Sequence, residues 1–133
     1  MTLQYSVTVN NARLDAIETA IGVSALLKIR TGAQPANCAA ADSGTVVATL
    51  TLPSDWMSAA SAGVKAKLGT WQDASADATG TAAHWRIYDS SGTTCHMQGS
   101  YGTTATDMIG DSTSFTAGQS FTVNSFSLTA ANT

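Results

Sequence analysis

Apolar and polar residues alternate through most of this chain with the period of two that marks half-buried strands, and one early segment departs from it. There, Leu14, Ile17 and Ile21 fall on one face at helical spacing, while Arg13, Glu18 and Thr19 point away. Asn10 or Asn11 supplies an N-cap, Asp15 puts a negative charge in the first turn, and Gly22 stands at the C′ position. A helix is therefore predicted over residues 11–21.

Strand signals follow. Leu27 and Ile29 alternate with Lys28 and Arg30, and Ala48, Leu50 and Leu52 alternate with Thr49 and Thr51 until Pro53 ends the run. Residues 31–44, rich in turn formers, read as a long loop between these strands. Residues 54–57 read as one capped helical turn, 64–72 as a strand with Leu68 inward, and 73–80 as a loop. The clearest hairpin lies between Ala83 and Gly99, around a three-residue loop of Ser90, Ser91 and Gly92. That register sets Trp85 opposite Met97, Ile87 opposite Cys95 and Arg86 opposite His96. A two-residue change would keep this parity, and a one-residue slip would break it. The tail alternates from Phe121 to Leu128 but changes phase between Val123 and Phe126, which predicts a bulge near Asn124 and Ser125.

These elements predict a single all-β domain spanning residues 1–133, mainly antiparallel, with one short N-terminal helix. A β-sandwich or jelly-roll-like barrel is the expected form, with an α+β roll on a single sheet as the alternative.

Composition narrows the function. Ala, Thr, Ser and Gly make up 69 of 133 residues and only 11% are charged, so few side chains are available for chemistry. Net charge is −3, and the six basic residues are dispersed singly, which argues against nucleic acid as a partner. No apolar run approaches the roughly 18 residues of a membrane span. The start, Met1 to Ser6, lacks a basic, apolar leader, so cytoplasmic synthesis is expected. So little charge suits a surface that meets other protein, and a homo-oligomer or assembly component is expected.

Few candidate sites emerge. Cys38 and Cys95 lie outside any CxxC or zinc-like spacing, and read either as buried thiols or as a disulfide. A bridge would close a loop of about 57 residues, which in the chain-entropy model contributes about 4 kcal/mol. His84 and His96 share a face in the predicted hairpin, but Arg86 between them disfavours a cation, so no metal or cofactor is expected. No Ser occupies a G-x-S-x-G elbow and no catalytic residue is assigned. Asp73 and Asp77, and Asp107 and Asp111, read as turn caps. Trp85 alternates as core. Trp56 and Trp71, with His84, Arg86 and His96, are the candidate interface residues, since an exposed Trp would stack on a sugar or anchor a protein contact.

Several segments carry a resemblance. They are Asn11 to Glu18, Leu27 to Gly32 with Pro35 to Cys38, Leu52 to Met57, Arg86 to Asp89, and Thr93 to His96. Together they resemble small proteins encoded in the structural gene regions of tailed bacteriophages and prophages, over roughly residues 3 to 129. The resemblance implies a non-enzymatic virion protein made in the host cytoplasm, without fixing its place in the particle. A weakly charged β-domain with no basic arm suits the outside of a capsid, as a cement or decoration protein contacting the major capsid protein and copies of itself. Repeated symmetric contacts would give avidity. A tail or neck component, or a carbohydrate- or receptor-binding module, is the alternative.

Overall fold

The computed structural model describes residues 2–132. The helix α1 (Val7–Ile21) precedes nine strands: β1 (Leu26–Thr31), β2 (Val46–Thr51), β3 (Val64–Ala66), β4 (Gln72–Asp73), β5 (Gly80–Tyr88), β6 (Cys95–Gly102), β7 (Met108–Gly110), β8 (Ser114–Phe115) and β9 (Phe121–Thr129). They run in the order β2-β1-β5-β6-β7-β9-β3, with β4 joined to β9 and β8 to β5. β6 and β7 pair in parallel, while β5 is antiparallel to both β1 and β6. The result is the expected all-β class with one N-terminal helix, built as a curled mixed sheet that forms a half-barrel.

The helix begins earlier than its apolar pattern suggests. Ser6 is the cap, its Oγ accepting from the Val9 amide at 3.2 Å, so neither Asn10 nor Asn11 plays that part and Asp15 lies in mid-helix. Asn10 is buried. Leu14 and Ile21 are buried and Ile17 packs against the core, as the spacing predicted. Gly22 closes the helix at φ +94°, where its amide reaches the Glu18 carbonyl at 2.9 Å.

The β5–β6 hairpin keeps its predicted parity with its partners moved by two residues. Trp85 lies opposite Gly99, Ile87 opposite Met97 and Arg86 opposite Gln98. A bulge between Ile87 and Tyr88 then pairs Tyr88 with Cys95. The Trp85 ring explains the choice of glycine: a Cβ on residue 99 would lie 2.6 Å from it. The bulge near residue 124 is also present, since Ile109 pairs with Ser125 and Gly110 with Val123, passing over Asn124.

Two further expectations fail. Residues 54–57 form no helical turn; Met57 bridges Lys67 instead, and the Trp56 and Met57 amides donate to Glu18 Oε1 at 3.1 and 3.0 Å. The strand expected over 64–72 spans only Val64–Ala66, with Lys65 turned inward and Leu68 41% exposed.

Aromatic rings fill much of the core. Trp56, Trp71, Phe126 and Trp85 follow one another at ring separations of 6.0, 5.6 and 5.2 Å. Phe121 links a second group, 5.8 Å from Tyr101 and 4.8 Å from Phe115. Such tilted and edge-on pairs add to the area these rings bury.

Candidate functional site

From His84 to Tyr88, β5 is buried on both faces. Its apolar face, with Trp85 and Ile87, belongs to the core. Its other face carries His84 and Arg86, flanked by Lys28 and Arg30 on β1 and Gln98 on β6. Sequence alternation assigns these positions to solvent. Instead, residues 32–45 fold over them.

What lies between is a row of donors from the sheet meeting a row of carbonyls from the loop. The Gly32 carbonyl lies 2.9 Å from His84 Nδ1, so that nitrogen holds the ring proton. Gln98 Nε2 donates to the Pro35 carbonyl at 2.7 Å. Arg86 donates to the carbonyls of Asn37, Cys38 and Ala40 at 3.3, 2.8 and 3.2 Å, to the Cys95 sulfur at 3.1 Å, and to Asp42 Oδ1. Arg30 pairs with Asp42 Oδ2 at 2.8 Å, and the Tyr88 hydroxyl donates to Asp42 Oδ1 at 2.6 Å. Within the loop, Asn37 Oδ1 accepts from the Ala40 amide at 2.9 Å and fixes the turn that presents Cys38.

The electrostatics follow from this packing. Burial alone would raise the Asp42 pKa, but the Tyr88 hydrogen bond and the Arg30 and Arg86 charges outweigh it, leaving it below the ordinary carboxylate value. Burial chiefly, helped by the Asp42 hydrogen bond, pushes Tyr88 up to about 12. Burial holds His84 below the ordinary imidazole value, despite its bond to Gly32, and Arg30 and Arg86 nearby act in the same direction. Cys38 and Cys95, both half-buried free thiols, line one cavity with Asp42, Arg86, Tyr88 and Thr93.

Trp56, Trp71, His84 and Arg86 thus lie in the interior and present no surface to a partner; only His96, among the five candidate interface residues, is exposed. His84 and His96 do not meet as a pair, because the hairpin places Ser100 opposite His84 and Gln98, not His96, opposite Arg86. Among the described residues no group of three His, Cys, Asp or Glu is placed to hold a metal ion. Of the aspartates read as turn caps, Asp73 accepts from the Ser75 amide two residues on at 3.0 Å, as a cap does, and also from the Thr49 amide at 3.0 Å. Asp77 accepts from the Thr49 hydroxyl at 2.6 Å and Asp107 from the Ser100 amide at 2.9 Å, both reaching other segments. Among the described residues no helix is long and apolar enough to cross a membrane.

A second charged cluster, unforeseen in the sequence, anchors α1. Lys65 Nζ lies 2.9 Å from both Asp15 Oδ1 and Glu18 Oε2, and donates to the Ser58 carbonyl at 2.9 Å. Asp15 also accepts from the Ala60 amide, and Asn11 from the Gly63 amide, each at 2.9 Å. The signal was faint: only six basic residues exist, and Arg30, Lys65 and Arg86 are all buried. What fold and site define together is an all-β domain with two polar clusters that hold its irregular segments in place. The chain matches no protein-family model, no curated protein and no solved structure.

Proposed function

We propose that this protein is a non-enzymatic structural component of a bacteriophage virion, acting as a capsid cement or decoration protein. In this role it bridges major capsid protein subunits and contacts copies of itself, and it needs no cofactor. The observation that carries the reading is the character of the surface. With half its basic side chains buried, the outside is weakly charged, yet Leu3, Val7, Val9 and Val23 are exposed on and beside α1. Such apolar side chains on a surface built largely of Ala, Thr, Ser and Gly suit broad contact with protein. The sequence resemblance to phage structural-region proteins points the same way. Burial of Trp56 and Trp71 weighs against the carbohydrate-binding alternative, since neither ring is available to stack on a sugar.

Imaging particles assembled with and without this protein tests the proposal. Density at regular sites over the shell, with shells that break at lower temperature when the protein is missing, is the expected result. Density confined to the tail or neck, with shells of unchanged stability, would overturn the cement role in favour of a tail or neck component.

A further inference from the structure

We propose that Cys38 and Cys95 form a disulfide when the protein leaves a reducing compartment, and that this bond locks the 32–45 loop onto the β5–β6 hairpin. One guanidinium already organises both residues. Arg86 Nε donates to the Cys95 sulfur at 3.1 Å, while Arg86 Nη2 donates to the Cys38 carbonyl at 2.8 Å. The two cysteines line the same cavity. Half-buried, they stay accessible to a small reagent. The loop on which Cys38 sits is held at Gly32, Pro35, Asn37, Ala40 and Asp42, so the native fold supplies a juxtaposition that the unfolded chain must find across about 57 residues.

The oxidant is a low-molecular-weight disulfide such as oxidised glutathione. One cysteine thiolate attacks it, giving a mixed disulfide and releasing one reduced thiol. The second cysteine thiolate then displaces the remaining glutathionyl group. One sulfur–sulfur bond forms in the protein, one breaks in the reagent, and two protons and two electrons pass to two reduced thiols. Burial and the neighbouring Cys38 hold the Cys95 thiol above its ordinary pKa against the pull of Arg86, so closure accelerates as pH rises. None of this depends on what the protein binds.

The purified protein, reduced and then exposed to oxidised glutathione without denaturant, is expected to lose two hydrogens in mass and both titratable thiols. Digestion without reductant should yield a Cys38–Cys95 linked peptide. The thermal midpoint should rise by on the order of 10 °C and fall back on reduction. Cys38→Ser and Cys95→Ser variants should each stop at a single glutathione adduct. Stable glutathione adducts on the wild-type chain, disulfide-linked dimers, or thiols that persist through prolonged exposure would overturn the proposal. So would a linked peptide with an unchanged midpoint.

Discussion

Two clusters of charge hold irregular chain against this sheet, and their signs are reversed. Around Lys65 there are two carboxylates for one cation, Asp15 and Glu18, both from α1. Around Asp42 there are two cations for one carboxylate, Arg30 and Arg86, both from the sheet. The reversal follows from which backbone atoms each segment leaves free. The stretch beside α1 offers amides, those of Trp56, Met57, Ala60 and Gly63, and acceptors on the helix satisfy them. The 32–45 loop offers carbonyls, which require donors, and arginine supplies more of these than any other side chain. In each place a buried charge is kept because it answers backbone that cannot pair within the sheet.

The comparison breaks most visibly at Arg86. Arg86→Met leaves three loop carbonyls without their side-chain donor, inside a site the loop still covers, and takes from Asp42 one of three donors. We expect a loss of about 3 kcal/mol in denaturant unfolding, because a covered carbonyl left unpaired costs about 1 to 3 kcal/mol. A loss below about 1 kcal/mol would mean that the loop is held elsewhere and that Arg86 is dispensable.

Legibility in the sequence divides along the same line. The core was readable because it obeys local periods: Leu14, Ile17 and Ile21 on the helix, Trp85 and Ile87 on the hairpin, and the phase change around Asn124. Neither cluster was, because each is assembled across long separations. Arg86 and Asp42 stand 44 residues apart, and Lys65 and Asp15 stand 50 apart. A buried Lys65 also reads as an outward position, which is why Leu68 was expected to face the core in its place. The false helical turn at 54–57 has the same origin, since Glu18, 38 residues away from Trp56, takes the amides a turn would have used. Asn10 and Asn11 are good caps by type, but Ser6 does the capping and leaves Asn11 to reach Gly63.

Lys65→Met tests the second cluster, with a smaller expected loss of about 2 kcal/mol, because Asp15 and Glu18 keep their backbone donors. Its pH dependence separates the two sites. Burial would lower the Lys65 pKa, but hydrogen bonds and charge from Asp15 and Glu18 overcome this and set it above 10.5. A raised folded-state value means that the contribution is complete below 10.5 and is lost as pH climbs through the higher value. Arg86 keeps its charge over that range. The wild-type advantage over Lys65→Met should therefore shrink in alkali, while its advantage over Arg86→Met persists. Parallel alkaline profiles for wild type and Lys65→Met would show that the Lys65 charge contributes nothing.

The smallest effect belongs to Asp42, whose side chain is 41% exposed. Asp42→Asn keeps an Oδ1 acceptor for Tyr88 and Arg86, but replaces the oxygen facing Arg30 Nη2 with an NH2 group, a donor against a donor. With solvent screening that pair, the expected cost near neutral pH is about 1 kcal/mol or less. Because the folded-state pKa of Asp42 is depressed, its contribution is present above 3.8 and is lost as pH falls through the lower folded value. Asp15 is depressed too, chiefly by its hydrogen bond to Lys65, but it titrates equally in both proteins and cancels in the difference. The gap between wild type and Asp42→Asn in urea unfolding should thus close on acidification. A gap that stayed constant through that range would place the role of Asp42 in shape and hydrogen bonding, leaving the two guanidinium groups to hold the loop by their contacts with backbone oxygen alone.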